Sequence, residues 1–594
     1  MQKYSVNQQL IETILAWVNA GEIAIPEIQR PFVWDSSKVR NLMDSLYQGY
    51  PIGYLIAWRN PNVRLKDGSI SEGKKILIDG QQRITALTAA VLGHYVINNT
   101  YERIKIKIAF NPIEEKFEVQ NPAILKDKIW LSNISEVING SVLKIVREYL
   151  NLNPNANEEL VEKSITNLIN IPKKQIGLIE LASDLDIEKV TEIFIRINSE
   201  GVRLSQADFV MSKIASDTEF GGNELRKAID YFCHLAVAPE FYKHIVDNDK
   251  EFAKSEYFIR MQWLKTENDD LYAPDYNDVI RVAFTSQFNR GKLADLVSLL
   301  SGRNFETRTF EDEIAEQSFS MLKIGVNSFI NETNFKRFLM IIKSAGFISP
   351  KLIRSKNALN FAYILYLKLK DLGVNAVAIE SYVRRWLVYS ILTGRYSGSP
   401  ESIFDYDIKQ ISNKSFELIL QEREEAELSE AYWNASLPQS LDTSVASSPY
   451  FLIFLTSQVK ANDKGFLSKD ILVSDLILQR GDIHHLFPRD YLKKNGLDRG
   501  KYNQIANYVY MQSEINIKVG NKPPKEYFDL LKSQIQSVNQ LISGIVTEKE
   551  LIENLRMNCV PLEIMNMEID DYQTFLTLRR KLIVEKIRDY YHSL

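Results

Sequence analysis

Apolar residues recur at helical spacing from Leu10 to Val18, and the short run Ile23-Ala24-Ile25-Pro26 reads as extended, because a proline biases the residue before it away from helix. Ser36 and Ser37 are expected to cap a helix whose apolar face is Val39, Leu42, Met43 and Leu46. Tyr54 to Trp58 and Lys75 to Ile78 read as strands, and Arg83 to Leu92 as a helix. Between Tyr101 and Phe110 the pattern strictly alternates, with Ile104, Ile106 and Ile108 set between Arg103, Lys105 and Lys107, so one half-buried strand is expected. From about Asp186 the spacing becomes three and four, most clearly in Phe335–Ile342, Phe361–Leu369 and Val383–Leu392. The Ser- and Pro-rich stretch Ser436 to Pro449 marks a linker or surface loop. The pattern predicts a multidomain α+β protein: a mixed α/β first segment, a largely helical middle, and a third segment with apolar runs of its own.

Length bounds this organisation. A chain of 594 residues exceeds one ordinary core; three or four domains, or two large ones and a connecting region, fit it. The apolar share of 45% and charged share of 25% are those of a soluble globular protein. Net charge is 72 minus 76, or −4, so any nucleic-acid contact must come from a local patch. Cys233 and Cys559, the two cysteines, exclude a disulfide framework and a CxxC zinc knuckle. The start, Met1-Gln2-Lys3-Tyr4-Ser5, lacks the layout of a signal peptide, and no apolar stretch approaches the roughly 20 residues that span a bilayer. A protein of the reducing cytoplasm with no membrane partner is expected.

The chemistry concentrates near the third segment's histidines. His484 and His485 are adjacent in Gly481-Asp482-Ile483-His484-His485-Leu486-Phe487-Pro488. Asn507 follows in Ile505-Ala506-Asn507-Tyr508, and Asn516 in Glu514-Ile515-Asn516-Ile517-Lys518. Phosphodiester hydrolysis needs a divalent ion on the scissile phosphate and a neutral imidazole to take a proton from water. One histidine and one amide oxygen can hold the ion. The neighbouring histidine points the other way on an extended strand, free to act as base. A hydrogen bond from an asparagine can fix that base's orientation. The plain alternative for a His-His dipeptide is a surface turn. From Arg489 to Lys525 eight basic residues (Arg489, Lys493, Lys494, Arg499, Lys501, Lys518, Lys522, Lys525) face three acidic ones (Asp490, Asp498, Glu514), a local charge of about +5. Taken alone, that patch reads as a solvated surface; beside the histidines it suits DNA.

Two N-terminal motifs share a Gln-Arg theme: Ile25-Pro26-Glu27-Ile28-Gln29-Arg30-Pro31-Phe32-Val33-Trp34 and Ile78-Asp79-Gly80-Gln81-Gln82-Arg83. The second follows a strand and opens a helix. A glycine turn at a helix N-terminus offers N–H groups to an anion, and Arg83 adds a fork of donors. The competing reading is a tight turn fixed by an Asp79–Arg83 ion pair. No Walker A loop is present. A third stretch, Ile193 to Phe209, reads as a helix, a C-cap at Gly201, and a new helix capped by Ser205. Arg384-Arg385-Trp386 and the loop Gly394 to Glu401 can serve structure or touch nucleic acid, and the helix-ending glycines and Pro400 favour structure.

The His484–Asn516 segment resembles the ββα-metal core of HNH nucleases. The nine-residue step from Asn507 to Asn516 matches the family spacing, and the sequel Lys518 to Phe528 resembles the family's end. That resemblance implies that His485 is the general base, that His484 and Asn516 are metal ligands, and that Asn507 positions the base loop. His484 stands where many HNH enzymes carry Asp, which leaves Mg2+, Mn2+ and Ni2+ open as the divalent metal. The motifs "PEIQRPFVW" and "IDGQQR" resemble the N-terminal domain of GmrSD-type, modification-dependent (type IV) restriction endonucleases, which is related to the ParB/sulfiredoxin-like fold. This second resemblance implies binding and hydrolysis of a nucleoside triphosphate (GTP, ATP, CTP or UTP) at Asp79, Gly80, Gln81, Gln82 and Arg83, and extends to Gln29, Arg30, Arg196 and Asn198.

Together the resemblances imply a ParB-like nucleotide-binding domain over 1–215, a helical connecting region over 216–435 and an HNH endonuclease domain over 436–594. The expected function is antiphage defence: recognition of modified phage DNA, with nucleotide regulating metal-dependent cleavage. A homodimer is expected where a single-site nuclease cuts both strands. Two rivals stand beside this: a nuclease of repair or a toxin system, and a nucleotide-gated DNA-binding regulator with a vestigial nuclease core.

Overall fold

The computed structural model describes residues 3–24, 34–59, 75–97, 103–182, 185, 193, 206–217, 219–266, 271–309, 311–479, 481, 483–537 and 541–594. It is a mixed α+β protein, mostly helical, with small sheets. Its contacts separate two compact units: one built from 1–268, 274–277 and 297–319, the other from 269–273, 278–296 and 320–594.

The first unit opens with β1 (Tyr4–Leu10), α1 (Ile11–Asn19), β2 (Ile23–Ala24), α2 (Ser36–Gln48), β3 (Tyr54–Arg59), β4 (Lys75–Asp79) and α3 (Gln81–Val91), and β5 (Gln175–Leu181) returns to the same sheet. The strand order is β1-β5-β3-β4-β2. β1 runs antiparallel to β5, β5 parallel to β3, β3 antiparallel to β4, and β4 parallel to β2. The period-two pattern builds two apolar faces. Leu55, Ala57, Leu77, Ile176 and Leu178 join the core formed with α1, α2 and α3. Ile56, Trp58, Ile78 and Leu181 point the other way and pack with Leu185 and Ile193. Such runs are apolar throughout because both faces are covered.

Three boundaries depart from the expected ones. The cap of α2 is Asp35, whose carboxylate accepts from Lys38 N at 2.8 Å, while Ser36 is already helical. α3 begins two residues earlier than expected, because Gly80 takes a left-handed φ of 97° and lets the chain turn directly from β4. The 101–110 alternation is not one strand. Arg103–Ile104 pairs with Val96–Ile97, and Ile108–Asn111 pairs with Lys116–Val119. Ile106 and Ile108 are nonetheless both buried, so the pattern identified the inner face but not the break in pairing.

The second unit holds the long helices. α4 (Lys356–Asp371) and α5 (Ala376–Leu392) pack together, and α4 is buried on every side from Ala358 to Leu367. The basic, aromatic loop after α5 is structural. Arg395 forks onto Asp407, Tyr396 donates its hydroxyl to the same carboxylate at 2.8 Å, and Trp386 Nε1 donates to Tyr396 at 3.0 Å. Arg385 pairs with Glu424 at 2.7 Å, and Arg384 bonds the Leu594 oxygen at 3.2 Å.

The Ser436–Pro449 stretch lies inside this second unit rather than between two. Thr443 O accepts from Ile505 N at 2.9 Å, Ser444 O accepts from the Tyr508 hydroxyl at 3.3 Å, and Asp442 pairs with Arg580 at 2.6 Å. Beyond it come α6 (Pro449–Lys460), the short hairpin partners β6 (Ile483–His485) and β7 (Tyr508–Tyr510), then α7 (Ser513–Val519), α8 (Pro524–Ser537) and α9 (Tyr572–His592). β6 and β7 are antiparallel, with His484 opposite Val509 and His485 opposite Tyr508. Leu486, Phe487, Val509, Ile515, Tyr527, Phe528 and Phe575 form one core beneath them. α9 reaches under this hairpin. Its Tyr572 hydroxyl donates to Lys501 O at 3.1 Å, and its fully buried Arg579 donates to Ala506 O at 2.8 Å and Asn558 O at 3.3 Å. Burial pulls the pKa of Arg579 down to about 10.

Among the described residues no helix is long and apolar enough to cross a membrane.

Candidate functional site

Histidines 484 and 485 sit side by side on β6 and are both half-buried. With the α7 residue Asn516 they line one open cleft of about 540 Å³, which also takes in Arg489, Asp490, Ile517 and Asn521. His485 Nε2 lies 3.0 Å from the Asn503 side-chain oxygen, and the imidazole meets the Tyr508 ring edge-on at 5.1 Å. Burial holds the His485 pKa below its ordinary 6.5; the Asn503 bond opposes this, and the charges of Arg489 and His484 reinforce it. Burial thus favours the neutral imidazole, the form that accepts a proton.

The Asn507 side chain makes no hydrogen bond to His485. Its side chain is fully buried at the foot of β7, where its oxygen accepts from Phe487 N at 2.8 Å and its NH2 donates to Phe487 O at 3.0 Å and Tyr502 O at 3.4 Å. Its own carbonyl accepts from Leu486 N at 2.9 Å, and the Tyr527 hydroxyl donates to Leu486 O at 3.1 Å. Every polar group of the Leu486–Phe487 backbone is thereby held, directly behind the two histidines. The hydrogen-bond partner of the His485 ring is the Asn503 side chain, a residue that sequence reading missed. Nothing local marks that residue: it follows a one-turn helix, Arg499–Tyr502, and meets His485 only through the fold.

Two residues lining the cleft carry donors of a kind that a divalent ion takes, the His484 imidazole and the Asn516 side-chain amide. Among the described residues no three His, Cys, Asp or Glu side chains converge as a metal cage. An ion held by these two side chains would need further ligands from outside them.

In the first unit, the β4–α3 turn brings together Asp79, Gly80, Gln81, Gln82 and Arg83. Arg83 Nη2 pairs with Asp79 Oδ2 at 2.9 Å, and its Nη1 donates to Tyr54 O and, at 3.4 Å, to Ile52 O. The guanidinium thus ties α3 to the start of β3, which is the ion-pair reading of this turn. Gln81 is 6% exposed, and among the described residues nothing bonds its side-chain oxygen. Gln29, Arg30, Arg196 and Asn198 lie outside the described residues.

Gly80 is fixed by space as well as by φ. A Cβ there would stand 2.3 Å from Leu55 Cδ2 and 3.4 Å from Leu55 Cα, and Leu55 is fully buried. Gly80→Ala is expected to lower stability by about 1–3 kcal/mol, from the left-handed φ and the displaced leucine together. The midpoint of the unfolding transition of the first unit checks this; an unmoved midpoint would show that the turn relaxes freely.

Residues 11–215 match the family described as GmrSD restriction endonuclease, N-terminal domain. This part of the chain is similar to that domain. The match includes both Gln-Arg motifs and ends within the Gln206–Ser216 helix. The chain is also 22% identical to the uncharacterized protein MJ0686 of Methanocaldococcus jannaschii, over 96% of either chain.

Proposed function

We propose that this chain is a modification-dependent restriction endonuclease of antiphage defence, and that it cuts DNA at the His484–His485 cleft. The observation that carries the reading is the cleft itself. A histidine whose pKa burial holds down, a second histidine and an asparagine from the next helix line one open cleft in a β–β–α arrangement. The N-terminal likeness to GmrSD restriction endonucleases supports it from the other end of the chain.

In this reading residues 436–594 form an HNH endonuclease domain, 1–215 a ParB-like NTPase domain, and 216–435 the connecting region. His485 takes a proton from the attacking water. Asn507 keeps the loop behind it rigid, as the buried amide bonds require. Arg489 adds positive charge where phosphate would lie. A divalent ion (Mg2+, Mn2+ or Ni2+) held by His484 and Asn516 would stabilise the leaving oxygen. Nucleoside triphosphate binds around Asp79–Arg83 with Gln29, Arg30, Arg196 and Asn198, and regulates the cut. The protein works in the cytoplasm, and two copies act together where both strands are cut.

The test is a cleavage panel with the full chain. Plain and modified phage DNA are compared with Mg2+, Mn2+ or Ni2+, each with and without GTP, ATP, CTP or UTP. Metal-dependent cutting of modified DNA, altered by at least one nucleotide, is the expected result. Equal cutting of both substrates with no nucleotide effect would favour a repair or toxin nuclease. Nucleotide-dependent DNA binding without cutting would favour a regulator with a vestigial core.

A further inference from the structure

We propose that Asn503 is the positioning residue that sets the tautomer of His485, leaving Nδ1 as the basic nitrogen. This rests on the reading of His485 as base. A neutral imidazole has one N–H and one lone pair, and its partners decide which nitrogen carries which. Asn503 places its amide oxygen 3.0 Å from His485 Nε2. A carbonyl oxygen only accepts, so Nε2 is the protonated nitrogen and Nδ1 keeps the lone pair. The opposite tautomer would set a lone pair against the Asn503 oxygen and present an N–H where a base is needed.

The surroundings fit an orienting role. His485 lines the cleft, whereas Asn503 does not, so the amide bonds the ring without occupying substrate space. Tyr508 braces the ring edge-on and keeps it from swinging off its partner. The loop bearing Asn503 is itself pinned, because Asp498 caps the preceding turn through Lys501 N at 3.0 Å and Tyr502 O receives bonds from Asn507 and Tyr572. Catalytic imidazoles gain both orientation and basicity from such partners, and losing one typically costs 10–100-fold in activity.

Two measurements on the full chain test this. In the first, long-range proton–nitrogen correlation spectra of 15N-histidine-labelled protein, with His485 assigned by comparison with His485→Ala, report which ring nitrogen carries the proton. The expected result is Nε2–H in the wild type and a mixture in Asn503→Leu; a wild type dominated by Nδ1–H overturns the proposal. In the second, single-turnover cleavage is compared for Asn503→Leu and Asn503→Asp. Asn503→Leu is expected to lower kcat by about 10–100-fold with KM within about twofold, and Asn503→Asp, which keeps an accepting oxygen, to stay within about threefold of wild type. Wild-type kcat in Asn503→Leu, or equal loss in both variants, overturns it. The underlying reading fails separately: His485→Ala that cuts like wild type removes His485 as base, while an inactive His485→Ala beside a fully active Asn503→Leu removes only the role of Asn503.

Discussion

His485→Ala is expected to lower the rate of DNA cleavage by about 10²- to 10⁴-fold while leaving the fold intact. The rate falls because no other imidazole is placed to replace it. His484, its neighbour on β6, faces the same cleft, but it is the nitrogen donor that pairs with Asn516 in the proposed ion site. Using His484 as a base would remove that donor. The fold survives because His485 contributes one side-chain hydrogen bond, to Asn503, and one ring contact, to Tyr508, on a half-buried strand of three residues. Single-turnover cleavage at saturating metal, together with the thermal unfolding midpoint, separates the two effects. A variant that retains a tenth or more of the wild-type rate would move the base elsewhere.

Asn507→Ala has the opposite signature, with stability and activity falling together. The Asn507 amide is fully buried and makes three hydrogen bonds, two of them to the single residue Phe487. Alanine fills none of the three. A buried N–H or C=O left unpaired costs about 1–3 kcal/mol, and water does not reach the Phe487 side chain, which is itself completely buried. The expected loss is about 2–5 kcal/mol, enough to matter in a protein of ordinary marginal stability. Asn507→Asp is no remedy, since it sets a carboxylate oxygen against the Phe487 carbonyl. Urea unfolding monitored in the second unit measures the loss directly. An unchanged midpoint would mean that the Leu486–Phe487 loop does not depend on this amide.

These residues also show where sequence reading works and where it stops. The unbroken apolar run Leu55-Ile56-Ala57-Trp58 marked a strand, and the structure uses both of its faces. Helical spacing in Phe361–Leu369 revealed a buried helix, because a long periodic signal survives any tertiary context. β6 and β7 have three residues each and carry no periodicity of their own; only the chemistry of their histidines drew attention to them. Asn503 was invisible for a related reason. It lies close to Asn507 in sequence but reaches His485, 18 residues away, through a loop whose path depends on α9. Asp79–Arg83 was legible as a pair, since helix geometry joins positions four apart. That Arg83 also holds the carbonyls of Ile52 and Tyr54 could not be read from spacing, because it depends on β3 lying beside β4. The Arg395–Asp407 fork lay hidden likewise, its two ends meeting only once α5 and the following helix pack.

The buried guanidinium on α9 has a consequence for the order in which the protein comes into being. Arg579 holds the carbonyl of Ala506, the residue before Asn507, from a helix 63 residues beyond Asn516 (579 − 516). A ribosome adding about 5–20 residues per second finishes Asn516 several seconds before it reaches that helix. During this interval every proposed catalytic side chain exists, yet the turn that aligns them lacks its clamp. For those seconds the growing polypeptide carries the cleft residues without the hydrogen bond that Arg579 gives to Ala506 O.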